Sequence, residues 1–299
     1  MNSASSTPVI VALLLMVALL SGCSVKLAYN NLDRLARWSV NDYVNLNDAQ
    51  RAYFDDAVDE LLYWHRVDHL PRYASFLDAL QTSFADGTDE QELQSVVNTV
   101  LAWGEEIQDR ALPVAVELLG SLEDEQVAVL ARRLEESNVE LAEPEAGRSL
   151  EEAQAEWAAE FEERFARFSG RLTGAQRAYL ERQSVRYVPE LELWADYRRR
   201  WQADLLELLE SRRDLEKLET GLVTLAAERE SYFGEEFAVV YERNIALTRE
   251  VSVWMINALT PRQQDRFFGR LEALAADFRE LSGQAPDLPP ELDACLLTC

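Results

Sequence analysis

Lysine is almost missing from this sequence. Lys26 and Lys217 are the only two, so arginine supplies the other 27 of 29 basic side chains. Against them stand 54 acidic residues, a formal net charge of −25 over 299 positions. A chain so poor in positive charge offers no footprint for nucleic acid, because neutralising phosphates takes surplus Lys and Arg. Nor does it carry a basic patch that would hold it to an anionic leaflet by charge. Glycine and proline are scarce too, at 11 and 9, which excludes a turn-rich architecture and points to long helices. Histidine occurs only at 65 and 69, and cysteine only at 23, 295 and 299. No cysteine therefore stands mid-chain beside a base, and there is no P-loop and no Gly-x-Ser-x-Gly turn. No catalytic constellation and no cofactor is expected. What the chain does have is apolar residues, 48% of the total, enough to exclude wholesale disorder and to fill one or two cores.

Charge is missing altogether from residues 1–22. Val9 to Leu20 is an unbroken apolar run, the length of a signal-peptide h-region and short for a bilayer span. It closes on Leu20-Ser21-Gly22-Cys23, small residues before a cysteine. This ending resembles the lipobox of bacterial lipoproteins, which implies cleavage after Gly22 and acylation of Cys23. Acyl chains bury at roughly 0.8 kcal/mol per CH₂, so several of them anchor a protein durably. Ser24 stands where enteric lipoproteins retained at the inner membrane carry Asp, so the expected location is the periplasmic face of the outer membrane. Cys295 and Cys299 fit a small disulfide loop in an oxidising compartment. Free thiols or an intermolecular bridge are the alternatives.

Leu27 to Val44 reads as a first helix. Leu46-Asn47-Asp48-Ala49-Gln50 opens a second, with Asn47 as cap and Gln50 reaching back to it. Phe54, Val58, Leu61, Leu62 and His65 share its apolar face. Pro71 is expected to end or kink it, and Tyr73, Phe76, Leu77 and Leu80 continue a further arm to Gly87. Thr88-Asp89-Glu90-Gln91 opens the next helix, which Pro113 should interrupt. Further starts stand at Leu122 to Gln126, at the capping box Ser149 to Glu152, at Leu172 to Gln176 and at Leu259-Thr260-Pro261-Arg262-Gln263. The last places proline at the first helical position, where its missing N–H costs nothing. Trp157, Phe161, Phe165 and Phe168 recur along one helical face. No stretch alternates with period two, so the fold class is all-α, an elongated multi-helix bundle of amphipathic helices. The polar stretch 142–148 divides the mature chain into an N-terminal helical half, 23–142, and a C-terminal one, 149–282. An extended Pro-rich tail follows at 283–299.

His65-Arg66-Val67-Asp68-His69 puts two imidazoles at i and i+4, a spacing that can chelate zinc. A zincin helix needs Glu where Arg66 stands, however, and the chain has no third histidine. The blander reading makes His65 a half-buried member of an apolar face and leaves His69 in solvent at the helix end. Acidic pairs such as Glu105-Glu106 read as solvated faces. Arg198-Arg199-Arg200 is expected to pair with Glu190, Glu192, Asp196 and Asp204 around it. The aromatic residues suit helix–helix seams, or a groove for a peptide or an acyl chain.

Ala28-Tyr29-Asn30-Asn31-Leu32-Asp33, Trp38, Asp42 to Leu46 and Gln50-Arg51 follow the lipobox. Together with Trp64-His65-Arg66, Leu70-Pro71-Arg72-Tyr73, Glu242-Arg243-Asn244 and Leu259 to Gln264, they resemble the proteobacterial lipoproteins grouped as the DUF6279 family. The resemblance implies a helical, secreted, acylated protein and brings no activity with it. Leu-Thr-x-x-Gln is literal at 172–176 and 259–263, while Asn and Glu replace Thr at 46–50 and 122–126. That pattern is similar to the motif of the Spy/CpxP periplasmic chaperones, helical cradles for unfolded clients. The expectation is a non-enzymatic, chaperone-like binding protein with a periplasmic protein or peptide as partner. The alternatives are a metal-dependent hydrolase centred on His65 and His69, and a lipid or peptidoglycan carrier.

Overall fold

A computed structural model describes residues 25–142 and 147–283. The leader 1–22, Cys23 and the Cys295/Cys299 pair lie outside the described residues. Among those described the chain is helix and turn, with no strand. The helices in order are α1 (Val25–Tyr29), α2 (Leu32–Tyr43), α3 (Asp48–Trp64) and α4 (Leu70–Ser83). Then come α5 (Glu90–Gly120), α6 (Asp124–Ala142), α7 (Leu150–Ser169) and α8 (Gly174–Ser184). α9 (Leu191–Glu210), α10 (Leu215–Ala227), α11 (Glu235–Asn257) and α12 (Pro261–Gly283) complete the bundle. No helix among the described residues is long and apolar enough to cross a membrane.

The helix starts form as their caps dictate. Reciprocal capping boxes close at Asn47/Gln50, Ser149/Glu152 and Thr173/Gln176, and the Thr260 N–H donates to Gln263 Oε1 at 3.0 Å. The glutamines also do something a cap does not require. Gln50 and Gln126 exchange amide hydrogen bonds at 3.1 and 2.7 Å, and Gln176 and Gln263 exchange theirs at 3.2 and 3.0 Å. Each donates further to the carbonyl just ahead of its partner's leucine. Gln50 reaches Ser121 and Gln126 reaches Asn45, while Gln176 reaches Ala258 and Gln263 reaches Arg171. Leu46, Leu122, Leu172 and Leu259 are all buried beneath these contacts. The start of α3 is thus clamped to that of α6, and the start of α8 to that of α12, by one local two-fold arrangement used twice.

Buried side chains gather into a core around α1, α4 and α12, with Tyr29, Leu70, Leu77, Leu271, Phe278 and Leu281 at its centre. A second core joins the ends of α2 and α5 to α6, α9 and α10 through Leu46, Leu122, Leu209 and Leu218. A third lies between α7, α8 and α11, where Trp157, Phe161 and Phe165 pack as their spacing implied. The first two cores draw on both sides of segment 143–146, and α4 against α12 is the most extensive helix pair. Each fully buried Leu or Phe contributes about 1.5–3 kcal/mol, so these seams hold the bundle together. Pro113 does not interrupt its helix: α5 runs through it to Gly120. A single forfeited backbone hydrogen bond is outweighed there by the buried residues on either side, Trp103 and Val116.

Candidate functional site: a histidine cluster beside Pro71

Proline at 71 has no N–H to offer the Val67 carbonyl. The backbone ahead of it widens into one turn of π-helix, His65–His69, in which the Leu70 N–H donates to the His65 carbonyl. Turns of this kind recur where side chains must be re-aimed. Here it brings the two imidazoles face to face, ring centres 5.2 Å apart and planes 9° from parallel.

Tyr29 from α1 and Tyr73 from α4 close on His65. The Tyr29 hydroxyl lies 2.8 Å from Nδ1 and the Tyr73 hydroxyl 3.2 Å from Nε2. A neutral imidazole has one donor and one acceptor nitrogen, so one phenol donates and the other accepts. Burial pushes the His65 pKa down to about 3, with His69 and Arg66 adding repulsion. Burial pushes the Tyr29 hydroxyl up to about 12 and raises that of Tyr73 as well. All three groups are uncharged near neutrality and tie α1 to the bundle. None is poised as an acid or base at that pH. Arg66 donates to Asn30 Oδ1 at 2.9 Å and lies 5.0 Å over the Tyr29 ring. Asn31 donates back to the Leu27 carbonyl, and Asp33 pairs with Arg37 at 2.7 Å. Trp64 meets the His69 ring edge-on at 4.4 Å, and Trp103 covers Tyr73 at 4.5 Å.

His69 departs from expectation. It is 0% exposed rather than solvated, because the helix bulges at Pro71 instead of ending there. Its Nδ1 lies 3.3 Å from Asp68 and its Nε2 3.4 Å from Glu106, yet neither nitrogen makes a hydrogen bond. Burial lowers its pKa and Arg72 lowers it further, while Asp68 and Glu106 act in the opposite sense. Asp68, His69 and Glu106 bring ligand-type atoms within 4.8 Å of one another. Arg72 already supplies the positive charge between them, donating to Glu106 at 2.5 and 2.8 Å and to Asp68 at 3.3 Å. A metal ion at these three side chains would have to displace that guanidinium. The geometry does not suit a zinc chelate of His65 with His69, since phenols take both His65 nitrogens and the rings stack. Glu106 is likewise no free solvated acid, because Arg72 from α4 meets it.

The remaining candidates fall elsewhere. Glu242 and Arg243 are exposed on α11, whereas Asn244 beside them is buried and holds Val188 through both backbone groups. Arg199 pairs with Asp196 at 3.0 Å, Arg198 donates to Ser137, and Arg200 donates to the Tyr232 carbonyl. Two apolar hollows also open on the bundle. The larger, about 430 Å³, lies among α2, α3, α5 and α6 and is lined by residues such as Val40, Phe54, Leu61, Ala115 and Leu119. The smaller, about 210 Å³, is walled by Phe76, Leu80, Trp103, Phe168 and Phe267.

A family model described as a family of unknown function, DUF6279, matches residues 42–238. The chain belongs to DUF6279. No curated protein and no solved structure matches it. The stretch matched to DUF6279 takes in Trp64-His65-Arg66 and Pro71-Arg72-Tyr73, while Tyr29 to Asp33, Glu242 and Arg243 stand outside it. The structure nevertheless joins Tyr29 and Asn30 to the 64–73 block. Sequence reasoning missed the paired glutamines, although one signal was present. A capping box accepts Glu, as Glu152 shows, yet all four Leu-x-x-x-Gln starts carry glutamine, the residue able to donate and accept at once.

Proposed function

We propose that this DUF6279 protein is an acylated lipoprotein on the periplasmic face of the outer membrane that works by binding. In this reading its larger hollow takes apolar segments of periplasmic proteins. The observation that carries the reading is the hollow itself, about 430 Å³ with Ser39 as the one lining residue that is neither apolar nor aromatic. Walls of that kind favour whatever apolar chain excludes their water. The charge of −25 supports the same reading, since like charge keeps a loaded holder dispersed. The lipobox supports the compartment. The clamped Leu-x-x-x-Gln starts, similar to those of the Spy/CpxP chaperones, support the class of client.

The test is light scattering of reductively unfolded α-lactalbumin with the purified acylated protein added. Delayed aggregation is expected, and the delay should shrink for Ala115→Leu, which narrows the hollow while helical circular dichroism stays unchanged. No delay at equimolar protein would overturn the reading. The same apolar walls also favour a second reading, a lipid carrier. Stoichiometric lipid in the purified protein, found by mass spectrometry and lost in Ala115→Leu, would select it. Labelled palmitate on the wild type and none on Cys23→Ala tests the anchor separately.

A further inference from the structure

α2 packs Leu32, Val40 and Tyr43 against the cores and leaves the rest of its apolar surface outside. It is strongly two-sided in sequence, yet none of its residues is buried. One of its four charged residues reaches across to the bundle: Arg37 pairs with Asp33 at 2.7 Å and crosses to Asp55 and Asp59 on α3 at 2.9 and 2.6 Å. Those ion pairs fix the roll of the helix about its axis. Successive residues turn by about 100°, so Leu35, two positions back, and Trp38, one position on, are carried away from α3. They are 53% and 68% exposed, and Leu27 on α1 is 59% exposed. An exposed Trp and an exposed Leu on one helix face, with another exposed Leu on the helix before it, are not what a solvated surface favours.

The one exposed carboxylate on this side is already paired. The exposed polar residues of α2 are Arg34, Ser39, Asn41 and Asp42. Asp42, a turn after Trp38 on the same face, is met by Arg133 at 3.4 Å. Position along the chain then names the occupant. Leu27 follows Cys23 by four residues, which span at most about 14 Å even fully extended. A bilayer that receives acyl chains on Cys23 is thus within immediate reach of this face.

We propose that the outward side of α1 and α2, with Leu27, Leu35 and Trp38, lies in the headgroup layer of the bilayer that acylated Cys23 enters. This rests on the acylation of Cys23 set out above. Tryptophan and leucine suit that depth, with the indole at the interface and aliphatic carbon just below it. The rest of the body, at net negative charge, is held off an anionic surface, and charges beyond about 8 Å from the surface are screened at physiological salt. The apolar face thereby sets which side of the bundle meets the membrane.

The full acylated chain, reconstituted in vesicles of phosphatidylethanolamine and phosphatidylglycerol with brominated acyl chains, provides the test. Subtracting the emission of Trp38→Phe from that of the wild type isolates Trp38. A blue-shifted difference spectrum in unbrominated vesicles, quenched when the acyl chains are brominated, is the expected result. Both substituted and native proteins should float with the vesicles, because Trp38 is exposed and its replacement leaves the fold and the anchor intact. An unshifted, unquenched Trp38 in protein that still floats overturns the proposal while leaving the anchor standing. Protein that neither floats nor carries acyl mass on Cys23 overturns the anchor and the proposal together.

Discussion

His65 is a base that its surroundings prevent from being protonated. Its pKa stands at 6.5 for an ordinary histidine and at about 3 here, chiefly through burial. The unfolded chain therefore binds a proton that the native chain refuses, so stability rises with pH across that interval. The contribution is complete above pH 6.5 and is lost progressively as pH falls toward 3. Urea midpoints from pH 7 to 4 should thus fall more steeply for the wild type than for His65→Phe, by about one proton of linkage. Equal slopes would mean that His65 takes up its proton in the native state. The histidine pair itself was legible in the sequence, because i and i+4 is a local relation. Its partners were not. Tyr29 comes from 36 residues earlier, and Glu106 lies 34 residues beyond Arg72, and nothing short-range marks either one as a neighbour. His69 was misplaced for a related reason. Pro71 signals a broken helix, but only the packing around it decides between an end, a kink and a π turn.

At the scale of helices, the caps were readable and their pairing was not. Asn47, Ser149, Thr173 and Thr260 satisfy N–H groups within three residues of themselves. The exchange between Gln50 and Gln126 spans 76 residues and that between Gln176 and Gln263 spans 87. Replacing Gln126 by Ala should cost about 1–3 kcal/mol, since the Asn45 carbonyl and the Gln50 amide lose a partner in a buried place. The double variant with Gln50→Ala should cost less than the two singles together, by roughly 0.5–3 kcal/mol of coupling. Strict additivity in thermal or urea unfolding would refute the clamp. Pro113 carries the opposite lesson. Its local signal was plain, and the buried seams of a 31-residue helix overrode it.

For the whole molecule, charge is the governing term. At −25 the compact state repels itself, and the repulsion is long-range at low ionic strength. The screening length shortens from about 30 Å at 0.01 M to about 3 Å at 1 M. The melting temperature should therefore rise with NaCl over that range. Bridges such as Arg37–Asp59 and Arg110–Glu60 weaken with salt, but exposed pairs contribute little each. A melting temperature that falls instead would show the bridges outweighing the repulsion.

Helical class, cap positions and the DUF6279 membership were determined by the sequence alone, because each depends on residues within a few positions of one another or on composition. Tertiary structure alone decided which caps clamp together and which imidazole is sealed from solvent. It also decided that Glu106 meets Arg72 and that α2 turns Trp38 outward. Those outcomes depend on helices packed across tens of residues, where burial and partner geometry set the energies and local pattern sets none of them.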